Sequence, residues 1–178
     1  NSTSSGVFSI NGGAIQGNDW HLHNNGKEGF YLESAATIVD GLNLENNTDS
    51  GAHIDDARYV FLSNLSSSGN GDAGLEFNRA NDIESASGNV SCTDCTLVGN
   101  NRGVVATDSV DLHLNNLQVH DPISGPAISI DNSGLDIGVQ GGMFHLQNVS
   151  TWINYSGSAI EIYGAEGEIF GMQLAMDV

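Results

Sequence analysis

The sequence predicts an all-β solenoid: one domain spanning residues 1–178, wound into about seven stacked coils with no clear helical caps. Three observations predict it. A glycine followed by an apolar, a variable and an apolar residue recurs at Gly29-Phe30-Tyr31-Leu32, Gly51-Ala52-His53-Ile54, Gly74-Leu75-Glu76-Phe77 and Gly103-Val104-Val105-Ala106. The returns come 22, 23 and 29 residues apart, a period that belongs to stacked supersecondary units. A further apolar position falls eight residues after the first, at Ile38, Val60, Ile83 and Leu112, so a second strand of each coil is expected to stack as well.

Taken in order, residues 1–6 read as a polar, linker-like run, and the missing initiator Met reads as a mature product or a piece of a longer protein. In the first coil Phe8 and Ile10 alternate, then Trp20-His21-Leu22-His23 alternates again before Asn24-Asn25-Gly26 turns the chain. In the four clear repeats alternation puts both apolar residues on one face, and the glycine supplies a sharp corner before the strand. The expected inward columns are Phe30, Ala52, Leu75, Val104 and Leu32, Ile54, Phe77, Ala106. Large residues neighbour small ones there, as a dry core requires. Asn pairs at Asn24-Asn25, Asn46-Asn47, Asn100-Asn101 and Asn115-Asn116 fit turns, with side chains that hydrogen-bond along the stack. Extra residues around Ala86–Cys95 and between Ile128 and Ile160 predict loops on one side. Looser repeats follow at Ile128-Ser129-Ile130 and Ile160-Glu161-Ile162, and alternation continues through Ile169–Met176.

These strands, the Asn-rich turns and coils of about 22–24 residues resemble the right-handed parallel β-helix of the pectate-lyase-like superfamily. The resemblance covers roughly residues 7–178 and implies the fold. It implies no single activity, because that fold hosts lyases, hydrolases, epimerases, tail spikes and non-catalytic surface proteins. Asn47-Thr48-Asp49 and Asp55-Asp56 are similar to elements of polygalacturonases, but here they stand seven residues apart rather than a coil apart. The family's Gly-His-Gly and Arg-Ile-Lys elements are missing. Pectate-lyase-like catalysis implies a basic residue, and Lys27, Arg58, Arg79 and Arg102 fall at different offsets from their coil glycines.

Composition narrows the function classes. A formal charge of −18 with four basic residues excludes nucleic acid as a natural partner and disfavours anionic membrane surfaces. No apolar run approaches the length of a membrane span, so no membrane insertion is expected. Glycosylation acceptor patterns at Asn1, Asn46, Asn64, Asn89, Asn148 and Asn154 point to an extracellular or cell-surface glycoprotein. Cys92 and Cys95 are expected to close a small disulfide tightening the inserted loop.

The outward column Glu33, Asp55, Asn78, Thr107, Asp131 stacks carboxylates about 4.8 Å apart. Glu33, Asp49, Asp55 and Asp56 are therefore the candidate calcium ligands, calcium being the one cofactor suggested. His21, His23, His53, His113 and His145 fall on outward positions, and a His-x-His pair alone offers too few ligands for a transition metal. Trp152 and Tyr155 are candidates to stack on sugar rings, with burial beneath the loop as the alternative. The function expected from all this is an extracellular, non-catalytic β-solenoid module. It would be structural or adhesive, self-associating through its terminal coils into filaments. The alternative is a polysaccharide-acting or carbohydrate-binding β-helix.

Overall fold

The glycine-led segments form strands that lie over one another. The structure is a computed structural model and describes residues 3–10, 13–33, 36–57, 59–79, 89–109, 111–132, 143–154 and 158–176. Short strands β1 (Val7–Ile10), β3 (Phe30–Glu33), β5 (Ala52–Asp55), β7 (Ala73–Asn78), β9 (Arg102–Thr107), β11 (Ile128–Asp131) and β14 (Ile160–Tyr163) stack in that order as one parallel sheet. A second parallel sheet stacks β2 (Ile15–His23), β4 (Thr37–Glu45), β6 (Tyr59–Ser68), β8 (Asn89–Val98), β10 (Leu112–His120), β12 (Met143–Gln147) and β15 (Glu166–Phe170). Strands β13 (Ser150–Ile153) and β16 (Gln173–Met176) continue it beyond a corner. Among the described residues one short and one long strand make a coil, and seven such coils make a parallel β-helix without a helix.

The short strands stack in the register expected. Phe30, Ala52, Leu75, Val104, Ile128 and Ile160 form one inward column, and Leu32, Ile54, Phe77, Ala106, Ile130 and Ile162 the other. Phe30 and Phe77 are fully buried beside Ala52 and Ala106. Each such side chain removed from water contributes about 1.5–3 kcal/mol. The first coil has the opposite face inward. Val7 and Ser9 lie over Phe30 and Leu32, and Phe8 and Ile10 point out at 61% and 43% exposure.

The second inward position is corrected at two coils. Its true column is Ile15, Thr37, Val60, Val90, Leu112 and Phe144. Ile38 faces out at 53% exposure, and Ile83 lies outside the described residues. Turn length varies from coil to coil, and a one-residue difference moves every side chain to the other face. A fixed offset therefore finds Val60 and Leu112 and misses the rest.

Each long strand also bends once. Asp19, Gly41, Asn64, Asp94, Asn116, Asn148 and Gly171 have φ between 50° and 72°, the left-handed region open to Gly and tolerated by Asn and Asp. The corner shifts the alternation by one residue, so Thr37 and Val39 face in before Gly41, and Leu42 and Leu44 after it. Cys92 and Cys95 take those places in β8.

A buried ladder closes the other side. Asn25, Asn47, Asn70 and Asn100 stack, each Nδ2 of the first three donating to the next Oδ1 at 2.8 Å. The glycines that open the short strands make room for this ladder rather than supplying a left-handed corner. A Cβ on Gly29 would lie 2.7 Å from Asn47 Nδ2, and one on Gly74 would lie 2.8 Å from Asn100 Nδ2.

Candidate functional site

With the core packed by apolar side chains, the charged and aromatic groups of the described strands that could act on a ligand lie on the outer faces. On the short-strand sheet, Glu33 lies directly over Asp55, with Asn78, Thr107 and Asp131 following in the column expected. Both carboxylates are partnered. Tyr31 Oη donates to Glu33 at 3.0 Å, and Arg79 donates to Asp55 at 3.1 Å. Asp56 turns the chain at φ 54°. Asp49 sits in the turn before β5, where its N–H donates to Lys27 O and its C=O accepts from Asp72. Strand β5 separates it from Asp55 and Asp56 by roughly 13 Å, so Glu33, Asp49, Asp55 and Asp56 do not converge as one calcium cage. Arg58, the other basic residue near Asp55, lies outside the described residues.

Next to this column, Phe8, Tyr31 and His53 form an aromatic ladder. Phe8 stacks on Tyr31 with centroids 5.1 Å apart, and Tyr31 meets the edge of His53 at 5.2 Å. His53 Nδ1 stands 3.9 Å from both Glu28 and Glu76, and its Nε2 is buried without a hydrogen-bond partner. Ser5 and Ser50 donate to those two carboxylates at 2.6 Å. Burial, together with the hydrogen bond and charge of Glu33, pushes the Tyr31 hydroxyl up to about 12. Glu28, Glu33, Asp55 and Glu76 thus surround His53 and Arg79, a face that repels polyanions.

The long-strand sheet differs. Past its corner, the outer face of β10 and β13 carries Trp152 stacked on His120, centroids 4.1 Å apart and planes within 9°. Trp152 is 36% exposed, so it faces solvent rather than the core. Tyr155 lies outside the described residues. Beside this pair, Asn43, Ser66, Thr96, Gln118, Ser150 and Gln173 form one outward column of hydroxyls and amides. Before the corner, the same sheet brings Asp111, His113 and His145 together, the one group of three metal-capable side chains among the described residues. Spacing along the chain hides this group, because His145 comes from the next coil.

Cys92 and Cys95 form a disulfide, fully buried in β8. It staples a strand corner rather than an inserted loop, since Asn89–Cys95 belong to the strand and residues 80–88 lie outside the described residues. Asn46, Asn64 and Asn148 are left-handed corner residues, and Ser66 and Ser150 are the outward residues that follow two of them. The acceptor patterns at Asn64 and Asn148 thus coincide with the corner template itself. Asn154 is exposed, Asn89 has a buried Oδ1 without a partner, and Asn1 lies outside the described residues. No helix of the described residues is long and apolar enough to cross a membrane.

Residues 1–164 match the family model described as a right-handed beta helix region. Among solved structures the chain is similar to the A-module of a mannuronan C-5 epimerase from Azotobacter vinelandii, at 16% identity and a TM-score of 0.56. The match covers 93% of this chain and 56% of that one, so the chain spans little more than half of that structure's length. No curated protein matches the sequence.

Proposed function

The chain belongs to the right-handed beta helix family, and from that premise we propose that it is a non-catalytic, extracellular module that binds a neutral polysaccharide. The single observation that carries the reading is the Trp152–His120 platform beside the Thr96, Gln118, Ser150 and Gln173 column. A flat aromatic face receives the C–H face of a sugar, and uncharged hydroxyl and amide groups hydrogen-bond its hydroxyls without demanding a charge. The other outer face argues against acid–base work on uronates. Arg79 and Arg102 are ion-paired with Asp55 and Asp72, and a Tyr31 hydroxyl held protonated to about 12 is no base at neutral pH. The mannuronan acted on by the similar structure is a polyanion, and a chain of charge −18 would repel one.

Binding to immobilised neutral and acidic glycans tests the reading. The protein should retain neutral chains and lose them on Trp152→Ala; unchanged retention by that variant, or release of unsaturated or reducing ends from any glycan, removes it.

A further inference from the structure

Strands β10 and β12 pair in register with His113 directly beside His145. The two imidazoles stack, with centroids 4.5 Å apart and planes within 14°. Asp111, in the left-handed region at φ 58°, places Oδ1 3.2 Å from His113 Nε2. Each of the three residues offers a ligand atom within 4.8 Å of the other two. The following coil adds Glu168 beside His145, its Oε2 3.7 Å from the ring Nδ1. Neighbouring rungs of the same outward column carry Ser91 and Phe61, so the donors are concentrated on three successive coils.

We propose that Asp111, His113 and His145, with Glu168 as a fourth donor, bind a divalent transition metal of the zinc class. Two imidazole nitrogens and one or two carboxylate oxygens are the donor set of such ions, whereas calcium takes oxygen ligands. The parallel ladder fixes the two backbones one coil apart, and side-chain rotation brings the donors to a shared centre, zinc–nitrogen bonds being about 2.0–2.1 Å. All four side chains are partly exposed, so an ion enters without opening the core. Asp111 serves either as a ligand or as the carboxylate that orients His113, and in both roles it raises affinity. This site is separate from the Trp152 platform and does not depend on the glycan reading.

The test is equilibrium dialysis of chelator-treated protein against Zn²⁺ alone, with metal counted by elemental analysis. We expect one zinc per chain, lost on His113→Ala and on His145→Ala. Asp111→Asn should weaken binding about 10–100-fold. The double variant His21→Ala/His23→Ala, which removes the other close imidazole pair, should keep the zinc. Far-ultraviolet circular dichroism of the site variants should match the parent, because these side chains face outward. A parent protein that takes up no zinc, alanine variants that keep it, or loss in the His21/His23 variant would each overturn the proposal.

Discussion

Cys92 and Cys95 stand three residues apart in one strand, yet both side chains are fully buried and joined. Uninterrupted alternation would point them to opposite faces. Asp94, at φ 57°, shifts the phase between them. Their places in the neighbouring coils are held by Leu62 and Leu65 on one side and Leu114 and Leu117 on the other. The bridge is therefore core material as well as a cross-link. A loop this short constrains the unfolded chain by roughly 2 kcal/mol, and reduction leaves two thiols that behave as small apolar side chains in the same column. Urea unfolding should show reduction lowering stability by about that amount, with native circular dichroism retained. Cys92→Ser/Cys95→Ser should cost more, because two hydroxyls would lack partners in an apolar column.

The Asn ladder makes a sharper prediction. Asn47 accepts from the Asn25 N–H and Nδ2, and donates to Leu22 O and Asn70 Oδ1, all within 3.3 Å. Asn47→Ala strands buried groups on two neighbouring coils and should cost about 2–4 kcal/mol. Asn46, its exposed neighbour at φ 52°, needs backbone freedom instead. Asn46→Gly should be near neutral and Asn46→Ala should cost about 1 kcal/mol. Denaturant midpoints of the three variants check the contrast, and equal losses at Asn46→Ala and Asn47→Ala would refute it.

Tyr31 gives a pH dependence with a definite sign. Burial and the Glu33 carboxylate favour the neutral phenol, raising it to about 12 in the folded chain from about 10 in the unfolded one. Its contribution is fully present below the unfolded value and is lost as pH rises from there through the folded one. Stability should therefore fall across that alkaline window. The ultraviolet phenolate titration should contain a late step that is lost on Tyr31→Phe and moves down on Glu33→Gln. Absence of any movement would show that the Glu33 hydrogen bond is not a cause.

Much of this fold is legible in the sequence. Glycine-led alternation located the short strands and the columns from Phe30 to Ile160, because alternation and coil period are local and regular. The long strands were harder. Ile38 is as apolar as Val60, and only the turn length before it decides that Thr37 faces inward. Asp94, Asn64 and Gly41 share a left-handed corner, yet no single residue type marks the position. The outer faces were least legible. His113 and His145, or His120 and Trp152, stand 32 residues apart in the chain and meet only because their coils are adjacent. The four candidate calcium ligands do not meet at one point for the reciprocal reason: Asp49 and Asp55 are near in sequence, and an extended strand holds them apart.

Binding through the Trp152 platform should be insensitive to salt. Its contacts are stacking and neutral hydrogen bonds, which ions at physiological strength do not screen. Trp152→Ala should weaken glycan binding about tenfold or more, the equivalent of 1.4 kcal/mol, and His120→Ala by less. A steep salt dependence in calorimetric titrations would instead place the ligand on the charged short-strand face.

Gly17 and Trp20 test whether columns, rather than individual contacts, determine this core. A Cβ on Gly17 would lie 2.6 Å from the Trp20 Nε1, so the indole occupies space that a side chain at Gly17 would fill. One coil on, the same two places hold Val39 and Leu42. Gly17→Val alone should overpack the coil and cost about 1–3 kcal/mol. Trp20→Leu alone removes the indole, leaves a void and should cost a similar amount. Combined, the two changes copy the neighbouring coil, valine filling the volume that the indole vacates. The double variant should therefore be more stable than either single one, with a favourable coupling of about 0.5–3 kcal/mol in a double-mutant cycle. Additive losses would mean that the two columns do not share that space, and that the first coil packs by rules of its own.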